Sequence, residues 1–335
     1  MTKYASPSLF ILLILCLIFP VRDPSITQWR DGSASAEIED NILEDLEFLT
    51  TMAKGYQMLR YTVFNEGRAG VIIGKDGWLF SREEFIPDPK RAARLLEANI
   101  KSVITTIEEF KAKNIDVLIA LLPDKSRILK QHLTIKKKSR HARQRYDRVR
   151  ERFSQAGIHA PDLRPIFKQN PETMFFRTDT HWTNLASTSI AKSLSDIIRL
   201  QHSSLADQVP YQQKTSVSAE FQGDLAQFTA EFANISKETF ENIHIQSTTA
   251  NLGLFETENI DITLIGTSFS ADTRWGFADN LRLNLQSNID NLAEKGQGIF
   301  TPLQKLINEG YFEATPPKLL IWEIPERYLS REQGR

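Results

Sequence analysis

The sequence predicts an α/β protein built on a central, mainly parallel sheet. Three features predict it. Short apolar runs at Ile115–Leu122, Ile262–Ile265 and Leu319–Ile324 read as strands covered on both faces. Between such runs lie helical patterns, the clearest being Leu96, Ile100, Val103, Ile107 and Phe110 at alternating steps of four and three. Breakers punctuate the strands, with Pro123 after the first and Gly266 after the second. Strands alternating with helices of this length define layered α/β architecture.

At the amino terminus, Lys3 precedes an apolar run from Leu9 to Phe19 that Pro20 closes. The run is shorter than the roughly 20 residues of a full membrane helix and suits a signal h-region. No small-residue cleavage site follows, because Pro20, Val21, Arg22 and Asp23 stand there. The expectation is an uncleaved signal anchor over residues 1–22, with a cytoplasmic start and an exported body. Cys16, the only cysteine, follows Leu15 rather than a small residue and reads as a membrane residue. With no other thiol, disulfides and cysteine zinc sites are excluded. Residues 23–68 read as a linker with a stalk helix, its apolar stripe being Ile38, Ile42, Leu46 and Leu49.

Residues 69–335 form the expected globular body. Val71-Ile72-Ile73, the turn Gly74–Gly77 and Trp78-Leu79-Phe80 come first. A basic helix from Arg140 to Phe153 leads to a short strand, Ile158–Ala160, before Pro161. Thr183 caps a helix whose core face is Ala186, Ile190, Leu194 and Ile197. The Gln-, Ser- and Thr-rich stretch 200–250 lacks apolar periodicity and reads as a loop-rich insertion. A formal net charge of −1 gives no sign of nucleic-acid binding. From Lys136 to Arg152 there are nine Lys or Arg against two acids, suiting either a solvated helix face or contact with an anionic polymer.

Three segments carry candidate chemistry. In Thr178-Asp179-Thr180-His181-Trp182, an extended strand end would send Asp179 and His181 to one side. A carboxylate beside an imidazole suits a catalytic dyad, and equally a metal ligand set or a hydrogen-bonded core pair. In Gly266-Thr267-Ser268-Phe269-Ser270, a strand runs through a turn into a helix. Ser268 then lands at the strand's carboxyl edge, where open α/β sheets bind ligands; it reads as a nucleophile or as a helix cap. In Trp322–Tyr328, charged residues directly follow a buried strand, as an ion network or as substrate-binding groups. A metal shared by Asp179, His181 and Asp272 lacks a second histidine at a usual ligand spacing, and none is expected.

Six segments together resemble the alginate O-acetyltransferase family (AlgJ/AlgX-like). They are Gly74–Phe80, Pro123-Asp124-Lys125, Asp179–Thr183, Gly223-Asp224-Leu225, Gly266–Ser270 and Trp322–Tyr328. The resemblance implies an SGNH-hydrolase-like three-layer domain behind an N-terminal anchor helix. It implies Ser268 as nucleophile, His181 as general acid/base and Asp179 as its orienting partner. Thr267, Arg274, Trp275, Gly298 and Arg327 are the further candidates for substrate or oxyanion contacts. The implied reaction moves an acetyl group through acetyl-Ser268 onto hydroxyls of an exopolysaccharide, alginate or a related polymer. A plain acetylesterase and a non-catalytic subunit of a polysaccharide-modifying complex are the alternatives. The implied setting is the periplasm, tethered to the inner membrane, with a membrane-bound O-acyltransferase as acetyl donor partner and no cofactor.

Overall fold

The computed structural model describes residues 70–85, 89–134, 139–214, 217–226, 240–245, 247–250 and 260–333. All of them fall in one unit, Met58–Arg335. The expected anchor (1–22) and stalk (23–68) lie outside the described residues. Among the described residues, no helix is long and apolar enough to cross a membrane.

The described chain opens with an antiparallel hairpin, β1 (Val71–Ile73) and β2 (Leu79–Ser81), with Ile72 opposite Phe80. Helix α1 (Pro89–Ala112) follows, then β3 (Asp116–Leu122) and the short α2 (Lys125–Ile128). Next come α3 (Arg140–Gln155), α4 (Arg164–Gln169), α5 (Pro171–Met174) and α6 (Asn184–Gln201). The insertion contributes β4 (Tyr211–Gln213), β5 (Val217–Gln222), β6 (Phe240–Ile245) and β7 (Thr248–Ala250). The last stretch holds β8 (Ile262–Ile265), α7 (Ser268–Ala271), α8 (Phe277–Leu285) and β9 (Ile289–Asn291). It ends with α9 (Thr301–Asn308), α10 (Tyr311–Ala314) and β10 (Leu319–Pro325).

The central sheet has strand order β3-β10-β8-β9 and is parallel throughout. Side-chain alternation along β10 explains its layering. Leu319 and Ile321 join the core made with α6 and α8, which supply Ala186, Ile190, Leu194, Leu281 and Leu285. Leu320, Trp322 and Ile324 join the opposite core, with Ile100, Val103 and Ile107 of α1 and Tyr146, Val149 and Phe153 of α3. Each strand therefore needs apolar residues on both faces, which is why these runs are continuous.

Three details differ from expectation. The core line of α6 ends on Ile198, fully buried, rather than on half-buried Ile197. The pattern takes a step of four there. Ile158–Ala160 makes no strand; only His159 bridges to Leu118, and Pro161, which lacks an amide, cannot extend the pairing. The insertion is not all loop, since β4 pairs with β7 and β5 with β6, both antiparallel. Little of that ribbon surface is buried, Phe221 and Ile243 excepted, so no clear alternation marks it in sequence.

The basic helix resolves into ion pairs. Arg148 and Arg152 reach Glu97 of α1 at 3.0 and 3.7 Å, and Arg150 reaches Asp162 at 3.4 Å. Its inward arginine, Arg145, joins a buried network at the carboxyl ends of β3 and β10. There Glu326 binds Arg127 (2.5 and 2.7 Å), the amide of Asp124 (2.9 Å) and Arg145 (3.3 Å), and Arg145 also binds Asp124. For Glu326, the ion-network reading of Trp322–Tyr328 holds.

Candidate active site

Strand β8 ends at Ile265, and Gly266 carries the chain into α7. A side chain at Gly266 has no room, because a Cβ would lie 2.5 Å from Oε2 of Glu323. Thr267 caps α7, its hydroxyl accepting the Phe269 amide at 3.4 Å. Ser268 is thereby placed at the carboxyl edge of the sheet, and its Oγ lies 2.7 Å from His181 Nε2.

The Asp179–His181 segment is not the straight strand end expected. Phe175 and Trp182 form an antiparallel bridge, and Phe176 N–H donates to the His181 carbonyl at 3.3 Å, so residues 176–181 bulge out as a bent loop. The two side chains meet because Asp179 turns back over its own backbone. Its Oδ1 accepts the His181 amide at 2.7 Å and faces Nδ1 at 2.5 Å. This is the local two-residue hydrogen bonding that Asp favours in turns.

Such a loop must find backbone partners elsewhere. Lys125 donates to the carbonyls of Leu79 (2.7 Å), Arg177 (3.0 Å) and Asp179 (2.9 Å). Glu241 accepts the amides of Arg177 (2.7 Å) and Thr178 (2.6 Å) and the Thr178 hydroxyl (2.6 Å). Asp224 accepts the amide (2.7 Å) and hydroxyl of Thr180, and its own amide donates to Asp179 Oδ2 at 2.8 Å. Gly223 permits this approach, since a Cβ there would stand 2.3 Å from the Thr178 carbonyl oxygen.

The electrostatics follow from burial and partners. Burial works against ionisation of Asp179. The His181 imidazole, together with the amides of Asp224 and His181, nonetheless holds its carboxyl below the usual range. Asp224 moves the other way, pushed up by burial and by the neighbouring Asp179 charge. Burial pulls Lys125 down to about 8, opposed by Glu84, Glu241, Asp179 and Asp224. The imidazole packs on Phe269 (ring centroids 4.7 Å apart) and stacks on Trp275 (5.2 Å).

The remaining sequence candidates occupy different surroundings. Thr267 spends its amide (2.7 Å) and hydroxyl (3.0 Å) inward on Glu323. Trp275 is fully buried beneath His181. Arg274 lies over the Trp275 ring, 4.7 Å from its centroid, and is tied to Asp272, which Lys295 also binds. Arg327 is buried against the Phe269 ring. Gly298 is not brought to this cluster; its positive φ serves a turn, and a Cβ there would meet only Gln333. Lys125, Asp224 and Glu323 stood within segments singled out in sequence, but without a role. Glu241 had no signal, lying in the polar insertion.

Asp179, His181 and Asp224 each offer a ligand atom within 4.8 Å of one another. Asp224, not Asp272, is thus the third acid. In this arrangement Asp179 and Asp224 already accept protein donors, and both imidazole nitrogens face protein oxygens.

The fold, a parallel sheet between helical layers with serine and histidine converging at its carboxyl edge, is of the SGNH-hydrolase-like class. The family description "SGNH hydrolase-like domain, acetyltransferase AlgX" matches residues 71–326. "Probable alginate O-acetylase AlgJ" of Azotobacter vinelandii is 34% identical over 312 residues, covering 89% of this chain and 80% of that protein. The protein of the same name from Pseudomonas aeruginosa is 35% identical over 291 residues, covering 81% and 73%. The solved "O-Acetyltransferase Domain of Pseudomonas putida AlgJ" superposes with a TM-score of 0.71 at 28% identity, over 79% of this chain and 94% of that one. The chain belongs to the AlgJ/AlgX family of alginate O-acetyltransferases.

Proposed function

We propose that the protein is a periplasmic O-acetyltransferase that acetylates hydroxyls of an exopolysaccharide, alginate or a close relative, through an acetyl-serine. The observation that carries this is the 2.7 Å contact between Ser268 Oγ and His181 Nε2, with Asp179 Oδ1 2.5 Å from Nδ1. In the first step His181 Nε2 takes the Ser268 proton as Oγ attacks the acetyl carbonyl, and the leaving group departs with that proton. In the second, a sugar hydroxyl gives its proton to Nε2 and attacks acetyl-Ser268, and Oγ leaves and is reprotonated by His181. Asp179 fixes the tautomer and stabilises the imidazolium in both steps.

Arg274 and Arg327 are the substrate-side candidates, as cations flanking the rings that pack on His181. The apolar run within residues 1–22 supports a tether to the inner membrane, and a membrane-bound O-acyltransferase is the proposed acetyl donor. The test uses the full-length chain with 4-nitrophenyl acetate and mass spectrometry of the trapped enzyme. A single acetyl group on Ser268, absent from Ser268→Ala, is the expected result; labelling that survives in Ser268→Ala sinks the reading. Adding mannuronate oligosaccharide should then yield acetylated sugar, and release of acetate alone favours an esterase.

A further inference from the structure

Glu323 is a carboxylate where the fold calls for an apolar side chain. It lies in β10, a strand with neighbours on both sides, and pairs with Ala120 of β3. By alternation it shares its face with Leu319 and Ile321, which belong to the apolar core over α6 and α8. It is fully buried. A charge placed there is costly unless donors surround it, and the donors it has come from one short stretch of chain. The Thr267 amide donates at 2.7 Å, the Thr267 hydroxyl at 3.0 Å and the Ser270 hydroxyl at 3.1 Å. These residues flank Ser268, and Gly266 lies against the same carboxylate. Ser268 Oγ is left to His181.

We propose that Glu323 is a positioning residue for Ser268: its buried carboxylate grips Thr267 and Ser270 and so fixes where the serine hydroxyl points. The inference rests on Ser268 being the nucleophile. An amide N–H only donates, so the contact with Thr267 N asks for an acceptor oxygen, and the ionised form suits all three donors at once. Burial pushes the carboxyl up to about 7, opposed by the Thr267 and Ser270 hydrogen bonds and by the charge of Arg327 in the 3-10 helix after β10. Ionised and protonated forms are then both populated near neutrality, and only the first holds the elbow fully.

The experiment measures the burst rate of acetyl-enzyme formation against pH in the full-length chain. Glu323→Gln keeps the shape and removes the charge. Its burst rate should fall by about 100-fold, the scale of a small misplacement of a reacting group, with KM little changed. As the pH is lowered from 8 to 5, the wild-type rate should fall toward that of Glu323→Gln, because the protonated carboxyl is uncharged like the amide. A wild-type rate, or a slower rate whose ratio to wild type is the same at every pH, overturns the proposal. If Glu323→Gln does not fold, Ser270→Ala and Thr267→Val each remove one donor and keep the carboxylate; unchanged rates in both overturn it equally. Ser268→Ala, run beside them, separates the two claims. If it still labels, the nucleophile reading fails; if it does not label while Glu323→Gln behaves as wild type, only the positioning role fails.

Discussion

The ammonium of Lys125 donates to the carbonyl of Asp179 at 2.9 Å, so the acid beside the imidazole is held from behind by a buried cation. Two more carbonyls, of Leu79 and Arg177, complete its donor set. One side chain thereby ties the β1–β2 hairpin to the loop that presents His181. Lys125→Met should leave the carbonyls of Leu79 and Asp179 without this donor, at about 1–3 kcal/mol for each that stays buried and unpaired, while that of Arg177 still accepts the Leu79 amide at 2.9 Å. The acetylation rate should fall more steeply than thermal stability. Thermal unfolding and burst kinetics on one preparation check this, and a full wild-type burst in the variant would count against it.

Asp179→Asn tests the orienting carboxylate alone. The amide keeps the side chain's size, and Asp224 N–H still has an oxygen to meet. Its nitrogen side, however, can only donate, so it no longer accepts the His181 amide and disfavours the tautomer with a proton on Nδ1. In an Asp-His-Ser system this change costs roughly 10⁴-fold in turnover, and a loss of that order is expected with the fold intact. Stability should change with pH in one direction. The Asp179 carboxyl is held below its ordinary value, so its contribution is present above the unfolded-state pKa and disappears as the pH falls through the folded one. The wild type should therefore lose its advantage over Asp179→Asn only in acid, as read from denaturant midpoints.

Gly223 stands against the backbone of the same loop. A methyl group there would meet the Thr178 carbonyl oxygen at 2.3 Å, an atom that no rotamer change can move. Overpacking of this kind costs about 1–3 kcal/mol. Gly223→Ala should lower the melting temperature and, because Thr178 adjoins Asp179, the burst rate as well. A variant with normal melting and normal kinetics would show that the loop can shift freely.

Much of this was legible in the chain, for identifiable reasons. Buried parallel strands need apolar residues on both faces, so β3, β8 and β10 announce themselves as runs, and α1 shows its core stripe through Leu96, Ile100, Val103, Ile107 and Phe110. Ser268 could be placed at the sheet's carboxyl edge because a buried strand runs into Gly266, while the cap that its segment also offered is supplied by Thr267. The pairing of Asp179 with His181 was anticipated for the wrong reason, since the contact comes from a local turn and not from strand alternation. Glu241 escaped notice because nothing local requires it; its partners, Arg177 and Thr178, lie more than sixty positions away. Asp224 and Lys125 likewise act across the fold, where only tertiary packing brings donor to acceptor.

Glu323 links stability and activity in opposite senses. Burial pushes its folded-state carboxyl up to about 7, well above the ordinary carboxylate range. A raised carboxyl pKa means that the folded state binds the proton more tightly than the unfolded chain. Stability from that proton is complete below the unfolded value and drains away as the pH climbs through the folded one. The difference amounts to about 3 kcal/mol across the window between them. Over that window the wild type should lose stability relative to Glu323→Gln, which has no proton to lose. Its burst rate should meanwhile climb as the ionised carboxylate takes hold of Thr267 and Ser270. Denaturant melts of the two proteins at pH 5 and pH 8 give the comparison. If the wild type does not lose stability relative to Glu323→Gln toward the alkaline side, the carboxyl is not raised, and neutral pH cannot divide the enzyme between a firmly folded form and a well-aligned one.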